Sequence, residues 1–423
     1  GDRTNGFFNP APSPGLVATE GDCDEQLSFD NFIVAFEGLI GHEGLIPTSE
    51  MQKFTDFALQ LMPPPNPVAP IDGSATPAQA LGRTHYDTLP ADAGVTCNFC
   101  HVLDASQGFF GSGGFQTFEG EPQVFKVAQL RNAYQKVGMF GMAGVTGPVG
   151  DQVRGVGFLH DGAIDTLFNF LAEGPFTLTD PQITELEQFM LAFPSDLAPV
   201  VGQQVGIGPG SPESFTSTEV GSRISTLATR AGTPFESLVL GGTVAECDLV
   251  AKTVEDGRMK GYRRQDDGHF LPDDGEPAIP EATLRTKANP EGDAQNIAYT
   301  CVPPGSGDRL GIDRDEDGVQ NGLDNCPAWP NGAARGTCTA GDPASLASHC
   351  MQAADCGANG FCSVAQQDTD GDGTGDACEL AVIAVPEPGF GVGLLVAAAI
   401  LGGFPRRTPR GSTAADRPAP HAA

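Results

Sequence analysis

The 423-residue chain carries 23 basic and 54 acidic residues, a formal net charge of −31. That balance excludes a surface built to gather phosphate backbones, and so a nucleic-acid partner. Its length predicts more than one domain, while 39% hydrophobic residues with 56 Gly and 35 Pro predict modest cores and much turn and loop.

The acidity suits an exported protein, or one whose carboxylates hold metal cations. Eleven cysteines, most of them late in the chain, point to an oxidising compartment. The chain opens at Gly1 without Met or an apolar leader, so an upstream piece is expected, either a signal peptide or a whole domain. Residues 1–27 are rich in Pro and Gly and predict an irregular lead-in. Phe29, Phe32, Ile33 and Phe36 then recur at helical spacing. A second helix is predicted from Thr48 or Ser49, its stripe Met51, Phe54, Phe57, Ala58 and Leu61 stopping at Pro63-Pro64-Pro65.

Pro63 to Thr76 reads as a linker. Thr76-Pro77 opens a further helix, with Thr as cap and Pro in the first turn. Cys97-Asn98-Phe99-Cys100-His101 follows, the C-x-x-C-H spacing of c-type haem attachment. One helical turn sets both thiols on one face, each placed for a thioether to a haem vinyl group. His101 then points under the ring as the proximal iron ligand. Zinc would want a second C-x-x-C or a His pair, and the sequence has neither at matching distance. A thioredoxin-like pair would want a βαβ setting, which is absent.

After a Gly-rich loop come Phe125-Lys-Val-Ala-Gln-Leu-Arg131-Asn132 and Gly157-Phe-Leu-His160-Asp161-Gly162. A helix pair follows, with Leu167, Phe170 and Leu171, then Ile183, Leu186, Phe189, Met190 and Phe193 closed by Pro194. Together these elements resemble the C-terminal haem domain of the bacterial di-haem cytochrome c peroxidase and MauG family. The resemblance implies one covalent haem c on Cys97 and Cys100, with His101 below the iron, in a mainly α cytochrome c-like domain over 71–195. It also implies that Arg131 meets a haem propionate, a plain surface ion pair being the alternative. In the family a Met after the His-Asp-Gly element usually takes the sixth iron position. Here the only later Met of the domain, Met190, lies on the packed stripe of the last helix. Met139 is therefore expected as distal ligand, then Met142, then His160, which otherwise ties its loop to the next helix. The helix pairs FDNFIVAFEG and LFNFLAEG read either as a chance likeness or as an internal repeat. In the second case the N-terminal helical segment, 1–70, holds the tail of a truncated preceding haem domain.

Residues 196–310 predict a linker and a small β-rich domain. Val220 to Leu227 reads as a short helix, and alternation in Asp248–Val254 and Gly261–Arg264 reads as strands, stapled by a Cys247–Cys301 disulfide. Residues 311–380 begin with Asp313, Asp315, Asp317, Gly318 and Asp324 before Cys326-Pro327. The pattern resumes as Asp368, Asp370, Asp372 and Asp376 before Cys378. Alternating carboxylates around Gly turns suit one hard cation, whereas an EF-hand would need its closing Glu and flanking helices. The pattern resembles thrombospondin type 3 repeats, which implies that these eight aspartates bind Ca²⁺; a disordered acidic linker is the alternative. The insert between them holds Cys338, Cys350, Cys356 and Cys362, with three pairings open. A Cys326–Cys378 bridge around the insert would leave Cys23 over.

Val385-Pro386-Glu387-Pro388 precedes an apolar run from Gly389 to Phe404, then Arg406, Arg407 and Arg410. Residues 381–423 resemble a PEP-CTERM sorting signal processed by an exosortase, a permanent tail anchor being the alternative. The expected architecture is therefore multidomain: a mainly α cytochrome c-like haem domain, a small β-rich domain, calcium-bound loop-rich repeats and a C-terminal apolar helix. The expected function is electron transfer outside the inner membrane of a Gram-negative bacterium, with a redox partner protein or a small donor or acceptor. The alternatives are part of a di-haem peroxidase-like oxidoreductase, or calcium-dependent surface adhesion.

Overall fold

The computed structural model describes residues 25–92, 94–112, 127–138, 155–159, 162–209, 215–291 and 295–384. It divides into two compact units, Gly1–Pro327 and Ala328–Ala423. The expected boundaries near residues 70, 195 and 310 all fall inside the first.

The first unit begins with α1 (Glu25–Asp30), α2 (Ile33–Gly38) and α3 (Thr48–Leu59). Of the apolar stripe expected on α3, only Met51 is buried, at 2% exposure, whereas Phe54, Phe57 and Leu61 are about half exposed or more. Helix α4 (Pro77–Thr88) starts as its residues require: Thr76 and Gln79 close a capping box and Pro77 occupies the first turn. After α5 (Cys97–Cys100) come the two-residue strands β1 (Leu103–Asp104) and β2 (Phe109–Phe110), then α6 (Leu167–Leu171) and α7 (Asp180–Leu191).

Helices α4 and α7 pack closely. A Cβ at Gly82 would lie 2.0 Å from the Glu185 carbonyl oxygen, so only glycine lets the two backbones meet there. Tyr86, Leu186, Phe189 and Phe193 form the centre of this core. Tyr86 stands 5.3 Å from the Phe189 ring and 5.6 Å from the Phe193 ring.

The larger core of the first unit lies on a six-stranded antiparallel sheet in the order β3-β10-β6-β7-β8-β9. Its strands are β3 (Gln204–Ile207), β6 (Asp248–Glu255), β7 (Arg258–Arg264), β8 (His269–Pro272), β9 (Ile279–Pro280) and β10 (Ile297–Val302). The separate hairpin β4 (Pro234–Ser237) and β5 (Gly242–Ala245) precedes β6. Alternation places Leu249, Ala251, Ile297, Tyr299 and Cys301 in one core. Helix α8 (Thr218–Arg230) adds Ile224 and Leu227 to it. The expected Cys247–Cys301 disulfide is present, bridging the segment before β6 to β10.

The second unit holds a three-stranded sheet, β12 (His349–Cys350), β11 (Gly336–Ala340) and β13 (Phe361–Ser363). Of the three open pairings, the insert adopts Cys338–Cys356 and Cys350–Cys362. Those four half-cystines make up most of its small core, as expected where few apolar side chains are on hand.

The mainly α, cytochrome c-like expectation is thereby overturned. Among the described residues the fold is mixed, 31% helix and 19% strand with several small sheets. The strand content arises because β3 and β10 join the hairpins of 248–280 into one sheet and because the Cys-rich insert, expected as loop, pairs as strands. The expected C-terminal apolar helix, Gly389 to Phe404, lies outside the described residues. The last described helix, Asp376–Ala384, has nine residues, and among the described residues no helix is long and apolar enough to cross a membrane. Residues 385–423 lie outside the described residues.

Candidate functional sites

Helix α5 is a single turn whose whole content is Cys97-Asn98-Phe99-Cys100, with His101 at its end. Asn98 braces it on both sides. Its amide donates to the Asp87 carboxylate on α4 at 3.1 Å, and its carbonyl oxygen accepts from the Leu103 N–H at 2.9 Å. The fully buried Tyr86 donates its hydroxyl to the His101 carbonyl, tying the turn to the α4–α7 core. His101 Nδ1 lies 2.9 Å from the Gly111 carbonyl oxygen and 3.0 Å from that of Ala128. A carbonyl only accepts, so Nδ1 carries the proton and the ring's lone pair sits on Nε2. This is the backbone support commonly found behind a metal-ligating imidazole.

Cys97 and Cys100 are free thiols, whereas among the described residues every other cysteine is disulfide-bonded. Burial, reinforced by the charge of Asp92, pushes the Cys97 thiol up to about 11, and burial raises Cys100 as well. Reactive dithiols of redox enzymes instead have a lowered thiol pKa. This pair is thus poorly suited to thiolate attack.

Arg131 has its guanidinium on the buried carboxylate of Asp196 and 5.1 Å from the centroid of the Phe110 ring. Met139, Met142 and His160, the distal ligand candidates, lie outside the described residues, as does Asp161.

The first acidic loop brings Asp313, Asp315 and Asp317 together, their carboxylate oxygens within 4.8 Å of one another. One Asp313 oxygen and both Asp315 oxygens are buried without a hydrogen-bond partner, and Asp317 and Asp324 are buried. Desolvation, then the charges of Asp317, Asp324 and Asp313, push the Asp315 carboxyl up to about 7. Burial raises Asp313 too, although the Gly318 N–H donates to it at 3.0 Å. Carboxylates buried at this density want a cation, and an all-oxygen set is the chemistry of Ca²⁺.

The second loop gathers Asp368, Asp370 and Asp372 in the same way but in the open. Asp368 is held below the usual carboxylate range, chiefly by the Gly373 N–H at 2.9 Å with help from Gly371. Asp376, also assigned to this loop, accepts instead from the Thr369 N–H and hydroxyl, both at 2.7 Å.

Residues 305–333 match the thrombospondin type 3 repeat family, a calcium-binding segment that includes the first acidic loop. No curated protein and no solved structure matches the chain. The disulfides fit an exported protein. Tyr86 and Asp196 escaped the sequence reading because each meets its partner across a long separation, with no local spacing to signal it.

Proposed function

We propose that the chain is an exported c-type haem protein that moves single electrons and is stabilised by calcium in its acidic loops. The observation that carries this reading is the exclusion of Cys97 and Cys100 from an otherwise complete disulfide pattern among the described residues, on one turn ending in His101. The donor set fits a covalently attached haem, which would supply one-electron chemistry when bound. The Gly111 and Ala128 carbonyls accept hydrogen bonds from His101 Nδ1–H and fix the ring's orientation. Tyr86 holds the His101 carbonyl, and Asn98 locks the turn to Asp87. Arg131, which the resemblance pairs with a haem propionate, has its guanidinium on Asp196 and over the Phe110 ring.

Met139, with Met142 second, remains our choice of distal ligand. In the calcium sites, Asp313, Asp315, Asp317 and Asp324 form the better-desolvated set, and Asp368, Asp370, Asp372 and Asp376 the exposed one. The partner is a redox protein or a small electron donor or acceptor, and an exosortase-type enzyme processes the C-terminal signal.

The test is an optical redox titration of the full chain produced with c-type cytochrome maturation. A reversible one-electron transition is expected, with a pyridine haemochrome band that the Cys97→Ser/Cys100→Ser variant loses. A variant retaining the band, or a wild-type chain without one, contradicts the proposal.

A further inference from the structure

We propose that Arg258 is a positioning residue for the acidic loop 313–324 and couples cation binding there to the six-stranded sheet. This rests on the reading of that loop as a calcium site. The hairpin joining β6 to β7 turns through Asp256 and Gly257, whose φ values of 50° and 78° are those of a type I′ turn. The turn delivers Arg258 as the first residue of β7. Its guanidinium donates to the carbonyls of both Asn321 and Gly322, the latter at 3.2 Å.

On the other side, the Gly322 N–H donates at 2.7 Å to the carbonyl of Asp273, just past the end of β8. A Cβ at Gly322 would lie 2.5 Å from that oxygen. Asp273 is in turn fastened to β7, because its Oδ2 accepts from the Gly261 N–H and its own N–H donates to the Gly261 carbonyl, each at 3.0 Å. The 321–322 peptide is therefore clamped between groups fixed to two neighbouring strands.

From this clamp the loop closes back on its own start. The Asn321 N–H donates to the Ile312 carbonyl at 2.8 Å, and the Arg314 N–H donates to Asn321 Oδ1 at 2.9 Å. Asp313 and Asp315 lie beside those two anchored positions, and Asp324 follows Gly322 by two residues. The clamp thus fixes both ends of a carboxylate set whose Asp315 oxygens are buried without a partner. Because coupling between two parts is reciprocal, calcium should order the strands that hold the clamp, and loss of the clamp should weaken calcium binding.

The test uses the full chain, with calcium titrated calorimetrically and amide hydrogen exchange followed across residues 258–273 with and without calcium. In the wild type, calcium is expected to slow exchange in this stretch, and Asp315→Asn to abolish the effect. Arg258→Ala should weaken the Asp315-dependent site by about tenfold and remove the calcium-linked protection while the near-UV spectrum stays native. Arg258→Lys, keeping the charge without the fork, should recover part of both. Wild-type affinity and protection in Arg258→Ala would overturn the coupling and leave the loop as a calcium site. Wild-type calcium uptake in Asp315→Asn would overturn the calcium reading and the coupling with it.

Discussion

Asp315 and Cys97 are both held toward their neutral forms, and the causes differ in a way that separates their chemistry. Around Asp315 three further carboxylates add to desolvation, an arrangement that a divalent cation relieves. Around Cys97 burial dominates, and the charge of Asp92 adds to it, both disfavouring the thiolate. Glu187 on α7 gives the cleanest pH test, because burial raises its pKa although the Phe168 N–H donates to it at 3.1 Å. A carboxyl whose pKa is raised on folding favours the folded state below its unfolded value near 4.5. That contribution is lost as pH rises through the folded value. Glu187→Gln should therefore match the wild-type melting temperature near pH 4 and exceed it at pH 7 by about 2 °C, the small figure reflecting partial exposure. An unchanged difference between the two pH values would count against this assignment. At this scale, features that depend on short spacing were legible in the sequence: the C-x-x-C-H turn, the alternating aspartates and the Thr76 cap. Tyr86, Asp196 and Arg258 were not, since each acts on a group brought near only by the tertiary fold.

Among the elements, α4 and α7 bear most directly on the Cys97–His101 turn, and Gly82 of α4 faces the Glu185 backbone of α7 with no room for a Cβ. Gly82→Ala must push the helix backbones apart, and a loss of about 2 kcal/mol in unfolding free energy is expected from denaturant melts. A stability change below about 0.5 kcal/mol would show that the helices separate freely. The α7 stripe from Ile183 to Phe193 was readable because every member is buried against α4 or its neighbours. The α3 stripe had the same periodicity, yet most of it faces outward. Periodicity identifies an apolar face but does not say what covers it. The β-structure was underestimated for a related reason. Short strands such as Gly336–Ala340 and Phe361–Ser363 owe their pairing to disulfides and turns, and carry little alternation of their own.

Across the whole molecule, a net charge of −31 opposes compaction unless cations offset it. Chelation by EDTA should lower the melting temperature of the full chain. Restoring calcium to about a hundredfold above Kd should return about 2.7 kcal/mol for each site filled. A melting curve indifferent to both would remove calcium from the account. The two-unit division was not legible in the sequence. The acidic loop 313–324 reads as the start of a separate repeat region, yet its backbone is fastened to β7 and to the end of β8. The central claim, covalent haem on the Cys97–His101 turn, is tested most directly by the intact mass of the full chain purified from cells with c-type cytochrome maturation. An increase of one haem, located by peptide mapping on Cys97 and Cys100 and absent from Cys97→Ser/Cys100→Ser, is the expected result. An unmodified mass from such cells would contradict it.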